Sequence, residues 1–577
     1  ETILSMASTR SYIYFLTKSH NIFRVNSVSL ETISESYSIP DPKSKNNYKE
    51  HFDKIWADRE GNHCIIRHNN AIYYFNSGLK EFYEIDNFRG KEICAIALDD
   101  RNTDTKTTKK FLAVDYDNTI YECSLEIVID EKTKTRRIQE DIEELTRLHL
   151  TESGLEEDED YDKKKNKAIN DRIYGIKFIY ATNTTIDQGS DSCYIMAVTK
   201  NRLYQFMGPG FKSFKQVFKR YENNPALINE TCKHFPKKEN IFRVEFDVLY
   251  KNESMSIGDK KSKRLDVFNQ FGWRTDSGYC FGEFKHINSD TSSGLPLEVK
   301  EFTIIPFQKI TDKGKKEIDL APISVIHTVY HIFILYDDCL TVVSKLTSNI
   351  IHTEYFDTKY DQMIYNEFSE VKEEKDENEE NADKKKKKRE KGCILLTSKE
   401  GVFQISLENE NEDIWKDYLD IGDFEKAKAY CNSDELKKKI NKIDADKEFT
   451  NNKIVAANKY AFSDEKLEII CLKYLKEGDF DALKTFLEIY KFENIKVEEG
   501  KCLSKRESLQ LNLLATWMIE LFLSQKNTTE SEFKELIKSY KKNINFDLIY
   551  QLQAVMHLRR RIVIYFSKRI PRILSVF

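Results

Sequence analysis

Six times in its first four hundred residues the chain writes the same hairpin: an apolar strand, a short polar turn, and a second strand that opens on an aliphatic residue. The copies read YIYFLTKSHNIFRV from Tyr12, CIIRHNNAIYYF from Cys64, FLAVDYDNTIYECSL from Phe111, YIMAVTKNRLYQF from Tyr194, IFILYDDCLTVV from Ile332 and ILLTSKEGVFQISL from Ile394. Their turns carry Asn, Asp, Gly, Lys and Ser, which tolerate tight-turn backbone. Their second strands are rich in the aromatic and β-branched residues that suit a pleated surface. The aliphatic openers, Ile22, Ile72, Ile120, Leu203, Leu340 and Val402, are separated by 50, 48, 83, 137 and 62 residues. A four-stranded propeller blade takes about 40–50 residues. The gap of 83 holds a charged insert from Asp130, and the gap of 137 leaves room for one more blade near GYCFGEF at Gly278. Six visible hairpins and one hidden blade predict a seven-bladed β-propeller over residues 1–408, a radial arrangement that also leaves no long exposed sheet edge. A pair of β-sandwiches is the alternative reading of the same hairpins.

Two charged inserts, about 128–170 and 369–392, interrupt this pattern and are expected to be solvated loops, because such composition buries too little apolar surface to order itself. The middle of the first, IQEDIEELTRLH from Ile138, has the composition of a helix. The second, EVKEEKDENEENADKKKKKREK from Glu370, sets an acidic block beside the lysine run Lys384–Lys388. The run therefore reads as half of a self-neutralising loop, not as a patch for nucleic acid or anionic lipid.

After residue 408 the apolar period changes from 2 to 3.6, so residues 409–577 are expected to be an α-solenoid of helical hairpins, making the whole chain a multidomain all-β plus all-α protein. The stretch YLDIGDF from Tyr418 recurs as YLKEGDF from Tyr474. In the second copy Leu467, Ile470, Cys471, Tyr474 and Leu475 make one helical face, with Ser463 expected to cap the start. Gly478 suits the left-handed residue that closes a helix, and Asp479 suits the N-cap of the next, whose predicted inner face is Phe480, Leu483, Phe486 and Leu487. In the first copy Trp415, Tyr418 and Leu419 lead to Gly422, Asp423 caps the next helix, and Phe424, Ala427 and Tyr430 are expected to face inward. A worn copy lies between: Phe449, Ile454, Ala457 and Tyr460 each follow Leu419, Phe424, Ala427 and Tyr430 by 30 residues. A period near 30 is that of stacked helical hairpins. Gly422, Asp423, Phe424, Gly478, Asp479 and Phe480 are thus predicted to be repeat joints, and no partner-binding residue is singled out. A further stripe, Leu511, Leu514, Met518, Leu521 and Phe522, reads as packed helix. The basic, apolar end HLRRRIVIYFSKRIPRILSVF lacks the polar cap expected of a terminal repeat, so the solenoid is expected to be truncated there.

Chemistry is hard to find. The net charge of −5 offers no global basic field for nucleic acid. The eleven cysteines are never closer than 29 residues, which excludes the paired spacing of zinc fingers and reads as reduced thiols. No apolar run reaches the length of a membrane span. Walker, nucleophile-elbow, HExxH and Rossmann patterns do not occur. His327 and His331 in HTVYH lack the glutamate of a metalloprotease helix and, in one strand, would share a face without forming a metal site. The expectation is a non-enzyme with no cofactor and no metal.

The wording of several stretches resembles one family. DIWKDYLDIGDFEKAKAYC (Asp413–Cys431), EIICLKYLKEGDFDALKTFL and LLATWMIELFLSQ resemble the solenoid of the vacuolar protein sorting-associated protein 18 family. HFDKIWADREGNHCII and EIDLAPISVIHTVYHIFILYDDCLTVV resemble its propeller. The resemblance implies a core subunit of the HOPS or CORVET tethering complexes, which bridge late endosomal, lysosomal or vacuolar membranes through Rab GTPases and support SNARE-mediated fusion. It implies as partners sorting subunits 11, 16 and 33, with 39 and 41 in HOPS or 3 and 8 in CORVET, and a cytoplasmic protein held peripherally on those membranes. The family ends in a RING-type zinc domain, and this chain has no Cys/His cluster after Cys502. A membrane-coat or intraflagellar transport subunit, or a ubiquitin-ligase-associated module, would share the architecture.

Overall fold

Because every hairpin of the first four hundred residues has two faces to bury, the sheets stack face to face around a ring. The computed structural model describes residues 2–30, 33–43, 53–129, 134–148, 172–181, 192–200, 202–208, 213–222, 233–234, 245–253, 265–275, 278–286, 297–307, 309–312, 316–319, 321–367, 392–407, 409–494, 505–524 and 538. The chain divides into two units, Glu1–Glu410 and Asn411–Phe577.

The first unit is a seven-bladed propeller. Six antiparallel sheets of four strands, over 3–38, 54–84, 93–147, 175–234, 246–306 and 324–355, are followed by one of three described strands over 360–407. Gly278 opens the third strand of the fifth blade, Gly278–His286. The openers Ile22, Ile72, Ile120, Leu203 and Leu340 sit on third strands and are at most 4% exposed, whereas Val402 is 44% exposed. Its strand, Val402–Leu407, is the outermost of its sheet among the described residues.

Apolar seams join neighbouring blades. Tyr14, Leu16 and Ile22 of the first blade meet Ile66, Tyr73 and Phe75 of the second, and Ile326 and Leu335 of the sixth meet Met363 and Leu396 of the seventh. The ring closes where Met6, Ile13 and Phe15 of the first blade pack on Cys393 and Leu395 of the seventh. Asn366 reinforces this closure: its side chain donates to the Ser27 carbonyl at 2.8 Å and accepts from Ser8 Oγ at 3.3 Å. Buried polar groups bridge the other seams, as Arg67 to the Ile93 carbonyl at 2.7 Å and Trp273 Nε1 to the Thr199 carbonyl at 3.0 Å. These two are tolerated inside because each donates to a backbone carbonyl.

Several expectations are corrected. The stretch expected to be helical forms a strand, Arg136–Arg147, paired in register with Thr119–Ile129 to make the outer hairpin of the third blade. Ile138, Ile142 and Leu145 pack inward against buried clusters, and Glu140 accepts from the Asp86 and Asn87 amides. A long neighbouring strand outweighs the helix propensity of Glu and Leu. The start of the insert is therefore ordered sheet, while 130–133, 149–171 and 368–391 lie outside the described residues. His327 and His331 fall on two strands, Ser324–His327 and His331–Leu335, and take different partners. His327 is bonded to Tyr279 Oη at 2.5 Å, and His331 to Glu410 at 2.9 Å. Helix α1, Phe214–Glu222, was not expected; Phe214, Val217, Phe218 and Tyr221 fill the seam between the third and fourth blades.

The second unit contains helices α2 (Ile414–Asp420), α3 (Phe424–Tyr430), α4 (Asp434–Asn451), α5 (Lys453–Tyr460), α6 (Leu467–Glu477), α7 (Phe480–Asn494) and α8 (Lys505–Ser524). Their core joins Ala456, Ala457, Tyr460, Ile470, Tyr474, Leu483, Phe486, Leu514 and Met518. The side chains of Leu511, Leu521 and Phe522 lie outside the described ones, as do residues 525–537 and 539–577. Ser463 does not cap α6, which starts three residues later with Lys466 at the N-cap position. Its hydroxyl instead donates to the Tyr460 carbonyl at 2.7 Å, closing α5.

Two tests follow from the propeller. A Cβ on Gly272 would stand 1.9 Å from Tyr279 Oη and 2.2 Å from His327 Nδ1. Gly272→Ala should therefore destabilise the propeller by roughly 1–3 kcal/mol, the usual range of overpacking, seen as a lower midpoint in denaturant. Asp58 accepts from the His63 amide through Oδ1, and its buried Oδ2 has no hydrogen-bond partner among the described residues. Burial raises its carboxyl to about 7, Asp100 adding to the effect against the backbone hydrogen bonds. A folded pKa above the unfolded one means that the stability contribution is full near pH 4 and lost as pH rises through about 7. The stability difference between Asp58→Asn and wild type should shift in the variant's favour by on the order of 2–4 kcal/mol between pH 4 and 8; parallel pH profiles would refute the assignment.

Candidate docking site at the helical joints

The repeated GD joint is built from backbone first. At the end of α2, Gly422 is left-handed at φ +80°, its amide bonds the Leu419 carbonyl at 3.0 Å, and the Asp423 amide bonds the Tyr418 carbonyl at 2.9 Å. At the end of α6, Gly478 is at φ +69°, its amide bonds Leu475 at 3.1 Å, and the Asp479 amide bonds Tyr474 at 3.2 Å. Both are Schellman closures, which satisfy carbonyls that a helix end leaves bare. Each aspartate then turns its carboxylate to the next helix. Asp423 accepts from the Lys426 amide at 3.2 Å and Asp479 from the Ala482 amide at 3.1 Å. The Lys426 amide, followed by its ammonium, holds the Asp423 carboxyl below the usual carboxylate range. The middle joint has no glycine: Asn452 accepts from the Ile454 and Val455 amides at 3.2 Å. Neighbouring joints touch, for Lys453 pairs with Glu477 at 3.1 Å, and Tyr474 Oη donates to the Lys453 carbonyl at 3.1 Å.

The side chains beside the joints do not all face inward. Ala427, Ala457 and Tyr460 are buried, as are Leu483, Phe486 and Leu487, but Phe480 is 40%, Leu475 46% and Ile454 49% exposed. Phe424 and Tyr430 are half-buried. A residue just after an N-cap leans back over the preceding turn, away from the helices that cover the next turn. The first joint therefore exposes a partly apolar rim, with Ile421 51% exposed.

That rim borders an open pocket of about 430 Å³, lined by Ile421–Glu425 and by Asp444, Lys447, Glu448 and Lys459. Three of the six predicted joint residues, Gly422, Asp423 and Phe424, line it; Gly478, Asp479 and Phe480 do not. The residues from α4 and α5 were not foreseen, because charged positions on an exposed helix face carry no periodic signal. Asp444 is only 1% exposed. Its Oδ1 accepts from Lys459 at 2.6 Å, and Lys428 stands 3.7 Å from Oδ2. Lys428 itself bonds Glu425 at 2.6 Å. The Lys447 ammonium lies 5.2 Å from the centroid of the Phe424 ring. Among the described residues no group of three or more His, Cys, Asp or Glu is arranged to hold a metal ion.

Two family models match the chain in succession. One, described as the Pep3/Vps18/deep orange beta-propeller domain, matches residues 1–371, and the other, the first half of the VPS18 alpha-solenoid domain, matches residues 408–564. The chain is 24% identical over 364 residues to the vacuolar protein sorting-associated protein 18 homolog of Danio rerio, covering 60% of this chain and 31% of that one. It is 22% identical over 490 residues to vacuolar sorting protein 18 of Arabidopsis thaliana, covering 82% of this chain and 41% of that one. The chain thus spans less than half the length of these relatives. The propeller of Cps50 (Swd1) from Myceliophteria thermophila aligns with 70% of this chain and 95% of its own at 6% identity and a TM-score of 0.36, a likeness too loose to bear on function.

The observed faces predict which substitutions matter. Gly422→Ala and Gly478→Ala should each destabilise the solenoid by about 1–2 kcal/mol, the penalty of a left-handed L-residue. Phe486→Asp should cost about 3–5 kcal/mol or more, as a lost core aromatic with a buried charge, whereas Phe480→Asp, at a position 40% exposed, should cost only about 1–2 kcal/mol. Thermal melts of the full chain followed by helical circular dichroism rank the four; equal losses for Phe480→Asp and Phe486→Asp would contradict the burial pattern.

Proposed function

We propose a function from one premise: this chain belongs to the Pep3/Vps18/deep orange family. It acts as a vacuolar-sorting subunit of the HOPS/CORVET type, a non-catalytic scaffold in a complex that tethers membranes before fusion. The observation that carries this reading is that models of both the propeller and the solenoid of that family match, in order, along one chain.

In this reading the propeller is a rigid disc, since every blade is locked to its neighbours by an apolar seam, and its loops present surfaces to partners. The solenoid serves as an arm, whose repeats contact mainly their neighbours and so yield elastically over distance. Its partners are sorting subunits 11, 16 and 33, with 39 and 41 or 3 and 8; Rab GTPases and SNAREs are met through the assembled complex. The protein works in the cytoplasm, peripheral to late endosomal, lysosomal or vacuolar membranes. No described helix is long and apolar enough to cross a membrane.

Gentle purification of the tagged full-length gene product, followed by mass spectrometry, tests the reading. Subunits 11, 16 and 33 should co-purify, and the accompanying 39 and 41, or 3 and 8, identify the complex. Recovery of coat or intraflagellar transport subunits in their place would overturn it.

A further inference from the structure

We propose that the pocket at the first helical joint receives an arginine side chain from a partner protein, its guanidinium set between the face of Phe424 and the Asp444 oxygen that only the more distant Lys428 ammonium faces. Asp444 lines the pocket although it is 1% exposed. Its Oδ1 is held by Lys459, but among the described residues Oδ2 has no hydrogen-bond donor, the Lys428 ammonium stopping at 3.7 Å. A buried carboxylate oxygen without a donor is costly, and a charged donor entering the pocket relieves that cost.

The opposite wall selects the kind of donor. Phe424 already carries a cation, the Lys447 ammonium at 5.2 Å from its centroid. A guanidinium is planar and more weakly hydrated than an ammonium, so it stacks on an aromatic face that a lysine only approaches. Its several N–H donors then address two acceptors at once: Asp444 Oδ2, and the more exposed Glu448, which meets Lys459 only at 3.9 Å. The exposed Ile421 offers an apolar wall along which the methylene stem of an arginine lies. A lysine presents one point charge and cannot span both carboxylates. The lining carries four acids, Asp423, Glu425, Asp444 and Glu448, against two lysines, Lys447 and Lys459, which disfavours an anion.

The inference rests on the chain's being a scaffold that docks partner subunits, but its test reads the pocket alone, so the purification and this titration fail independently. The full chain, methyl-labelled at isoleucine, is titrated with N-acetyl-arginine amide and, as a control of equal shape without charge, N-acetyl-citrulline amide. The Ile421 methyl signal should move saturably with the arginine compound and at least about tenfold more weakly with the citrulline one. Asp444→Asn and Phe424→Leu should each weaken the arginine response by about threefold to tenfold. Phe424→Leu keeps an apolar side chain, so it still decides if Asp444→Asn does not fold, and the arginine–citrulline contrast in the wild type decides if neither does. Equal responses to the two compounds, a still Ile421 signal, or an arginine response that survives both substitutions would each overturn the proposal.

Discussion

Everything in the first unit depends on the apolar seam between one blade and the next. A four-stranded antiparallel sheet has two faces, and neither is polar enough here to stand in water. Stacking seven antiparallel sheets in a ring lets neighbouring blades cover each other with one kind of contact, repeated. The seam between the seventh blade and the first closes the ring from Met6, Ile13 and Phe15 on one side and Cys393 and Leu395 on the other. Because these residues are hundreds of positions apart in the chain, closure fixes the whole ring at once.

The solenoid solves the same problem with local contacts. A Schellman closure and an aspartate N-cap turn the chain through each glycine joint, so that α2 and α3, and again α6 and α7, fold back on each other. Small residues such as Ala427, Ala456 and Ala457 are fully buried where helices approach closely. Repetition at this level leaves the edges of the hairpins exposed, and it is at such an edge that Ile421 and Phe424 border a pocket. A structural repeat thus produces a surface with chemistry of its own, without any catalytic motif.

The fold was legible in the sequence wherever one local pattern governed. Period-two hairpins marked six blades, and the spacing left room for the one around Gly278. The failures share a physical cause. The stretch from Ile138 has the composition of a helix, but Thr119–Ile129 offers it a long register of backbone partners, and pairing across the chain outweighs intrinsic preference. Phe480 and Leu475 lie on periodic apolar faces yet are exposed, because periodicity reports a helix's own stripe and not how far the neighbouring helix extends over it. Of the candidate site, Gly422 and Asp423 stand out in the sequence as a joint, since a turn demands particular residues, but nothing there marks them or Phe424 as the rim of a pocket. Asp444, Lys447, Glu448 and Lys459 do not stand out, since nothing local distinguishes them from other surface charges.

Sequence alone determined the number of blades and the succession of a strand-built propeller by a helical solenoid, both short-range consequences of side-chain period and backbone preference. Tertiary structure decided which apolar residues are covered, where a charged insert becomes the outer strand of the third blade, and that Asp444 sits buried beside Phe424 at the mouth of a pocket. These depend on contacts between separate elements, whose free energy is set by what each surface finds opposite it and not by the side-chain period within one element.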